Sequence, residues 1–315
     1  MHKRFTSLIG LTAFILAVPG TADSAVLDPF GARAQVRFLP VDSVSESAGE
    51  LSAVARIDPL TGDRGESGAA SASASIQGLK ASAFSQVMGG ADGEPARVFN
   101  ANASAKVQSF NDLVFTDETG AGKTHTDVSL SFFLDGSLGI SGIDTFGRSF
   151  LSPTLSLDYG VGQAGLGFPP VFQQIGRLAF TDAFQTPIDN PIALATGIFA
   201  DLEYRSSDLI SQEFTTPTVS VPLDTILSFK MELSVSAGGT SNDGDQIGAH
   251  ANFGNTLTFS PDAFFNLAPG ITVNSAELGL VNNSFDPPSP IPLPAPFLLL
   301  GAALAGLGRF RRKTS

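Results

Sequence analysis

The chain of 315 residues contains no cysteine. Disulfide bonds are therefore excluded, and so are a thiol nucleophile and a zinc–thiolate centre, because each needs a cysteine sulfur. A chain of this size without bridges must be held by its hydrophobic core. Apolar residues make up 43% of the sequence and include 26 phenylalanines, which is enough to fill a sizeable core.

Aromatic residues other than phenylalanine are nearly absent. There is no tryptophan, and the two tyrosines, Tyr159 and Tyr204, fall at positions that the local alternation assigns to the core. Exposed tryptophan or tyrosine rings usually provide the faces on which sugars stack, so their scarcity counts against a glycan-binding or glycan-hydrolysing domain. Acid pairs that could serve a glycosidase, such as Asp201 and Glu203, are numerous, and none stands out.

Histidine is also scarce, and only His125 and His250 lie beyond the first few residues. A Ser-His-Asp arrangement would need one of them, and no G-x-S-x-G turn is present. His125 falls in a loop-like stretch and His250 at an outward position of a strand, so both are interpreted as solvated surface residues. No catalytic residue is predicted, and the chain is not expected to be an enzyme.

Basic residues are few in the body of the chain and concentrated at its ends. Between Val26 and Pro290 the sequence holds 12 basic and 29 acidic residues, a net charge of −17. Such a charge repels nucleic acid and anionic lipid, so nucleic acid is not expected as a partner. It leaves room for a cation.

The best cation candidate is the stretch "TSNDGDQIG", where Asn242, Asp243 and Asp245 surround a glycine. Oxygen ligands around a sharp turn suit calcium, but the full loop pattern with its distal glutamate is missing. Two interpretations stay open: a calcium loop, and a hairpin tip rich in turn-forming residues. No other cofactor is predicted.

The N-terminal 25 residues have the organisation of an export signal. Lys3 and Arg4 precede an apolar run of 11 residues from Leu8 to Val18, and small residues around Ala25 suit a signal peptidase. The alternative, a permanent anchor, would need a span of roughly 20 residues. Residues 1–25 are therefore predicted to be a signal peptide.

The C-terminal 25 residues contain a second apolar run, from Phe297 to Leu307, which is again 11 residues long. As a helix it would reach only ~16 Å, about half of a hydrocarbon core. Prolines before it favour an extended lead-in. The basic residues after it should stop the segment at the cytoplasmic face; they are Arg309, Arg311, Arg312 and Lys313. We predict a short transmembrane helix that holds the chain transiently; permanent anchoring is the alternative.

The order of "IPLPA", an apolar run and "RFRRK" resembles the C-terminal sorting domain of the PEP-CTERM superfamily in its VPLPA variant. The motif comprises Ile291, Pro292, Leu293, Pro294 and Ala295. The resemblance implies that an exosortase of the inner membrane cleaves the chain near the proline motif. It also implies delivery to the cell surface or to the extracellular matrix, where polysaccharide is an expected partner. Leu293 stands where the better-known version has glutamate, and Ile291 replaces the usual valine.

Alternation of apolar and polar residues dominates the body of the chain and predicts β-strands. It runs through Phe99–Val107, Ile198–Tyr204 and Leu227–Val235. "AASASASI", residues 69–76, is either a thin strand or a linker, and we favour the strand because the alternation continues after it. Roughly ten strands or more without a long amphipathic helix predict an all-β, antiparallel β-sandwich that is jelly-roll-like.

Two segments of the body resemble the β-rich ectodomains that carry such sorting tails. They are "SFNDLVFTDETG", residues 109–120, and the closing stretch, residues 251–285. The resemblance implies a single ectodomain over residues 26–285 and brings no activity with it. A tether, residues 286–290, then leads to the sorting domain, residues 291–315.

The sequence therefore predicts an exported, non-enzymatic surface or matrix protein with a structural or adhesive role in biofilm. The rival hypothesis is a secreted glycan-binding or glycan-hydrolysing sandwich. A cleft lined by two acids or a ring of exposed phenylalanines would favour the rival, whereas a closed sandwich with polar faces would favour the first.

Overall fold

Strands account for all the regular structure in the computed structural model. The described residues are 30–39, 43–49, 51–57, 67–75, 77–87, 97–143, 150–162, 173–183, 192–202, 209–241, 246–260 and 262–285. The predicted signal peptide, tether and sorting domain lie outside them. Nineteen strands occur in these ranges: β1 (Phe30–Leu39), β2 (Ser43–Gly49), β3 (Ser52–Ile57), β4 (Ser67–Ser75), β5 (Gly78–Val87), β6 (Arg97–Asp117), β7 (His125–Val128), β8 (Ser131–Ile143), β9 (Phe150–Leu151), β10 (Thr154–Gly162), β11 (Gln173–Ala183), β12 (Ile192–Gly197), β13 (Leu209–Thr215), β14 (Val219–Pro222), β15 (Ile226–Ser241), β16 (Gln246–Phe259), β17 (Ile271–Asn274), β18 (Leu280–Val281) and β19 (Ser284–Phe285).

The strands form two packed antiparallel sheets. Sheet 1 has nine strands in the order β10-β11-β9-β15-β6-β1-β2, with β12 paired to β11 and β17 paired to β6. Sheet 2 has six strands in the order β13-β8-β16-β5-β4-β3. Two short ribbons, β7–β14 and β18–β19, complete the described pairings. The prediction of an all-β chain with the architecture of an antiparallel sandwich is confirmed.

β9 and β10 act as one interrupted strand between β15 and β11. Both pieces pair with the same two neighbours in a continuous register. Pro153, which lacks an N–H group and cannot donate to a sheet ladder, lies in the gap. The preceding Ser152 still donates its N–H to the Gly238 carbonyl at 2.9 Å.

One end of the sandwich has an interior built from alanine. Because these side chains are small, Cα atoms of β4 and β6, and of β5 and β15, come within 8 Å of each other across the interior. Packed sheets are usually about 10 Å apart. The buried alanines that allow this approach include Ala32 and Ala34 on β1, Ala53 and Ala55 on β3, Ala70, Ala72 and Ala74 on β4, Ala81 and Ala83 on β5, and Ala101, Ala103 and Ala105 on β6.

The other end of the sandwich is filled by phenylalanine. Phe264 and Phe265, which follow β16, are both buried and enter between the sheets. Phe229 of β15 packs edge-on against both rings, with centroids 5.4 and 5.5 Å away. Asn283 fixes this segment, because its side-chain amide donates to the Phe265 carbonyl at 2.7 Å and accepts from the Phe265 N–H at 2.8 Å. The core is therefore thin at one end and thick at the other.

Several predicted strands are confirmed. The inward positions of the Phe99–Val107 and Leu227–Val235 alternations are buried in β6 and β15. The alanine–serine stretch forms β4, with alanines inward, so the choice of strand over linker was right. No described part of the chain forms a helix, and hence none offers a helical membrane span.

The predicted strand from Ile198 to Tyr204 is wrong over its described part. β12 ends at Gly197, whose φ of +65° suits glycine, and residues 198–201 then form a turn. In this turn the Ala200 N–H donates to the Gly197 carbonyl at 3.0 Å. The turn buries Phe199 in place of the predicted inward side chains and exposes Ala200. A glycine in the left-handed region breaks the alternation that the residues around it suggest.

Candidate functional site on the outer face of sheet 1

A row of five residues crosses the outer face of sheet 1. The strand registers place Arg33 opposite Ser104, Ser104 opposite Ser234, Ser234 opposite Ser156, and Ser156 opposite Arg177. Adjacent strands lie about 4.8 Å apart, so the two arginine positions stand roughly 19 Å from each other. Both arginines are exposed, whereas the three serines between them are half-buried. The row therefore has long cationic side chains at its ends and short hydroxyls in its centre.

The rows beside it continue the same pattern of short polar side chains. Asn102, Ser236 and Thr154 face outward in the next row, and the Thr154 and Ser236 hydroxyls are 2.7 Å apart in a hydrogen bond. Gly238 and Ser152 follow in the third row. Because these side chains are short, two adjoining hollows of about 290 and 370 Å³ lie over the central strands. We call this surface, bounded by Arg33 and Arg177, the polar groove.

The outer face of sheet 1 is more basic than the rest of the body. On the five central strands, from the Arg37 row to the Lys230 row, the described charged side chains are five basic and two acidic. The basic residues are Arg33, Arg37, Lys106, Arg177 and Lys230, and the acidic residues are Asp158 and Glu232. The rows that form the groove contain no acid on these five strands; on β2, Glu46 stands opposite Gln35 in the row of Asn102. This excess contrasts with the net charge of −17 between residues 26 and 290.

The two acids stand in the row next to the Arg33 row, two residues along their strands from Ser156 and Ser234. Asp158 of β10 lies directly opposite Glu232 of β15, and Lys230 forms an ion pair with Glu232 at 2.6 Å. Partial burial raises the pKa of the Asp158 carboxyl, and the neighbouring Glu232 charge raises it further, while Lys230 partly offsets the rise. Glu232 is thus bonded to a lysine and is not free to act as an unpaired carboxylate.

Of the acid pair Asp201 and Glu203, one of many that the sequence offers, only one member lies within the described residues. Asp201 is exposed in the turn after β12, and Glu203 lies outside them. Nor do the described side chains bring three His, Asp or Glu residues together as a metal site. The calcium candidate formed by Asn242, Asp243 and Asp245 falls outside the described residues, so it stays a prediction.

The two histidines occupy different surroundings. His125 begins β7, where the sequence suggested a loop, and its side chain is exposed. His250 points outward from sheet 2 as predicted, but it is half-buried, and burial lowers the pKa of its imidazole. Its ring lies over Gly139, where a Cβ would clash with it, and next to the partly exposed Phe84. His250 therefore lies on the surface of sheet 2 as predicted but is only partly solvated.

Tyr159 faces the interior of the sandwich, which confirms its predicted core position, while Tyr204 lies outside the described residues. Tyr159 is 2% exposed, and burial raises the pKa of its hydroxyl to about 12. The Thr216 side chain partly offsets the rise in the Tyr159 pKa. The Thr216 hydroxyl itself accepts a hydrogen bond from the Leu130 N–H and donates one to the Pro217 carbonyl. The Tyr159 hydroxyl is thus left without a hydrogen bond, and the ring is not available to the polar groove.

The sequence reasoning missed the polar groove. Alternation identifies the outward residues of each strand, but it does not say which residues of distant strands stand side by side. The sorting motif of residues 291–295 and the basic residues 309–313 lie outside the described residues.

Comparison with models of known protein families finds no match to this chain. Comparisons with curated proteins and with solved structures also find no match.

Proposed function

We propose that this chain is an exported surface or extracellular-matrix protein with a structural or adhesive role, processed at its C-terminus by an exosortase. The predicted signal peptide and sorting domain support the export and C-terminal processing in this proposal. The observation that best supports it in the folded body is the packing of Phe285, which directly precedes the predicted tether, against the core.

Phe285, at the end of the predicted ectodomain, is partly buried and packs against the thick end of the core. Its ring packs against Phe264 with centroids 5.2 Å apart, and β19, which contains it, pairs with β18. Cleavage near Ile291–Ala295 would remove the tail without cutting any strand of the described core.

The tether also places a limit on the geometry before cleavage. Five residues, 286–290, reach at most roughly 17 Å when fully extended. While the predicted membrane helix holds the chain, the phenylalanine-rich end would lie near the outer surface of the inner membrane. Release would then free the whole body to the surface or matrix.

A non-enzymatic role fits the site better than hydrolysis. The polar groove is shallow and open, and of its two neighbouring acids Glu232 is bonded to Lys230. A glycosidase needs two carboxylates flanking a substrate in a cleft. Binding of extracellular polysaccharide, the other half of the rival hypothesis, is favoured by the groove itself.

The single ectodomain over residues 26–285 would be jelly-roll-like, since the chain passes between the sheets from β5 to β6, from β6 to β8 and from β15 to β16. Calcium at Asn242, Asp243 and Asp245 is an optional addition; it predicts that chelation lowers the unfolding temperature. Neither nucleic acid nor a catalytic cofactor is part of the proposed function.

The mass of the protein recovered from the producing cells tests the export and the C-terminal processing. We expect the mature chain to have lost residues 1–25 and everything after the proline motif. A variant with both Pro292 and Pro294 changed to alanine should keep its tail and stay in the membrane fraction. As a matched control, Pro288→Ala in the tether should be processed normally. Mature wild-type chains that still end in the basic cluster would contradict the proposal.

A further inference from the structure

We propose that the polar groove binds acidic polysaccharide, with Arg33 and Arg177 each taking a uronate carboxylate and the hydroxyls between them bonding the sugar ring oxygens. This inference deepens the proposed function and rests on it for the encounter with an extracellular polymer. It adds a ligand class and a binding site to the general expectation of a polysaccharide partner.

The spacing of the groove suits an extended polymer. Arg33 and Arg177 lie at the ends of one row, roughly 19 Å apart, with the hydroxyls of Ser104, Ser234 and Ser156 between them. A guanidinium group offers two parallel N–H donors to a carboxylate, and this geometry is more specific than that of a lysine ammonium. Serine hydroxyls donate and accept, as sugar hydroxyls do. The row therefore matches a chain of sugars that carries carboxylates at intervals.

The charge pattern selects a polyanion and fixes its location. The body of the chain carries −17, so a polyanion is repelled from most of its surface. On the five central strands of sheet 1 the five described outward basic side chains outnumber the two acids. Those acids, Asp158 and Glu232, lie in the row beside the Arg33 row, where Lys106 stands opposite Glu232 and Lys230 forms an ion pair with it. An acidic polymer would therefore be attracted to this face and directed along the groove.

The chemistry of the groove argues against other occupants. A neutral glycan is usually held by aromatic faces, and the side chains that line the groove are aliphatic, hydroxyl, amide and guanidinium groups, apart from the buried ring of Phe99. Single-stranded nucleic acid also needs aromatic platforms on which its bases stack. Carboxylate recognition by arginine needs no such platform. The sequence's lack of tryptophan is thus compatible with this one class of glycan.

The test uses the mature protein purified from the producing cells, with polygalacturonate as the probe. Calorimetric titration should show binding in 50 mM salt that weakens in 300 mM salt, because exposed ion pairs are screened. The Arg33→Gln/Arg177→Gln double variant should bind about tenfold more weakly or worse, as expected for losing two charge-assisted contacts. Arg56→Gln, on the opposite sheet, removes a like charge and should leave the affinity unchanged.

A second variant separates shape from charge. Ser234→Leu fills the centre of the groove without altering any charge, and it should also weaken binding while the circular dichroism spectrum stays that of the wild type. Fully methyl-esterified polygalacturonate, which has no free carboxylates, should not bind.

Three results would overturn the inference. They are no binding of polygalacturonate, equal binding of the methyl ester, and binding of single-stranded DNA that depends on the same two arginines. Since the titration uses purified protein, a chain that binds the polymer but keeps its tail in cells would refute only the proposed C-terminal processing and sorting.

Discussion

The hydroxyl of Ser85 on sheet 2 donates a hydrogen bond to the backbone carbonyl of Ala237 on sheet 1, at 2.7 Å. Ser85 is fully buried at an inward position of β5, between Ala83 and Val87. A serine side chain reaches only one bond beyond its Cβ, so the two backbones must lie unusually close here. The alanine-lined end of the sandwich is thus close enough for a direct bond between the sheets, and the buried hydroxyl is satisfied by it.

Replacing Ser85 by alanine should lower the free energy of unfolding by about 1 kcal/mol, the net value of one buried hydrogen bond. Chemical denaturation of the mature protein would measure the change. Ser82→Ala is the matched control, because Ser82 lies on the outer face of the same strand, where its hydroxyl bonds to Ser71. Equal losses in the two variants would show that the Ser85 bond has no special weight.

The close approach of the sheets also predicts how they respond to larger side chains. Ala72 is buried at an inward position of β4, so Ala72→Leu should force the sheets apart and cost about 1–3 kcal/mol. In thermal unfolding this corresponds to roughly 2–4 °C per kcal/mol for a domain of this size. Ala69→Leu makes the same change on the exposed face of β4 and should cost little. If Ala72→Leu is tolerated as well as the control, the interior is not as tightly packed as described.

Alternation in the sequence predicts this interior well, because it depends only on neighbours within one strand. Phe99, the alanines of β6 and Val107 all point inward as expected. It also distinguishes β4 from a linker, since a flexible linker has no reason to alternate. The sequence therefore predicts the fold class and the faces of most strands.

Register and long-range pairing could not be predicted in this way. The Arg33 row joins five strands, of which only β10 and β11 are consecutive in the chain, and no local pattern encodes which residues meet. The prediction of a strand after Gly197 is wrong for a different reason. A single glycine with a left-handed backbone outweighs the apparent alternation after it, so that Phe199 is fully buried and Ile198 only partly.

Asp112 shows how a polar contact between distant segments stabilises the closing part of the chain. Its carboxylate, on β6, accepts hydrogen bonds from the Ser275 hydroxyl at 2.8 Å and from the N–H groups of Ala276 and Glu277, some 163 to 165 residues later. These N–H groups lie at the start of a turn. Like the first N–H groups of a helix, they are bonded by a side-chain oxygen. Nothing in the local sequence of either segment predicts the pairing.

Asp112→Ala should therefore cost about 1–2 kcal/mol, by analogy with the loss of a helix cap. The turn at residues 275–280 should also exchange its amide hydrogens faster, which hydrogen-exchange mass spectrometry would detect. Asp127→Ala removes an exposed carboxylate from β7 and serves as the control. Unchanged exchange in the turn of the Asp112 variant would contradict the capping role.

For Tyr159 we predict the opposite effect on the free energy of unfolding, since its buried hydroxyl has no hydrogen bond. Removing an unsatisfied polar group eliminates its desolvation cost. Tyr159→Phe should leave the free energy of unfolding unchanged or raise it, as measured by denaturation. Ser109→Ala, which removes the other described buried hydroxyl without a partner, should behave in the same way. A loss above about 1 kcal/mol in either variant would reveal a hydrogen bond to that hydroxyl.

The ionisation of Asp158, which lies beside the groove, makes the stability of the fold depend on pH. Burial and the Glu232 charge raise the pKa of its carboxyl in the folded state above the unfolded value of 3.8. The unfolded chain therefore ionises first as the pH rises, and the native state loses stability as the pH passes from below 3.8 through the raised folded pKa. At neutral pH the ionised Asp158 is a net cost to the fold. Because the group is half-exposed and screened, that cost should be below about 1 kcal/mol.

Asp158→Asn should accordingly raise the unfolding temperature at pH 7, and its advantage should vanish below pH 3.8, where both states of the wild-type carboxyl are protonated. Thermal unfolding of both proteins across this pH range would measure the difference. Since the Glu232 charge is the second cause of the shift, the gain should shrink in a Glu232→Gln background. A gain of the same size at every pH would have to come from amide hydrogen bonding or packing, because neither changes with the ionisation of the carboxyl.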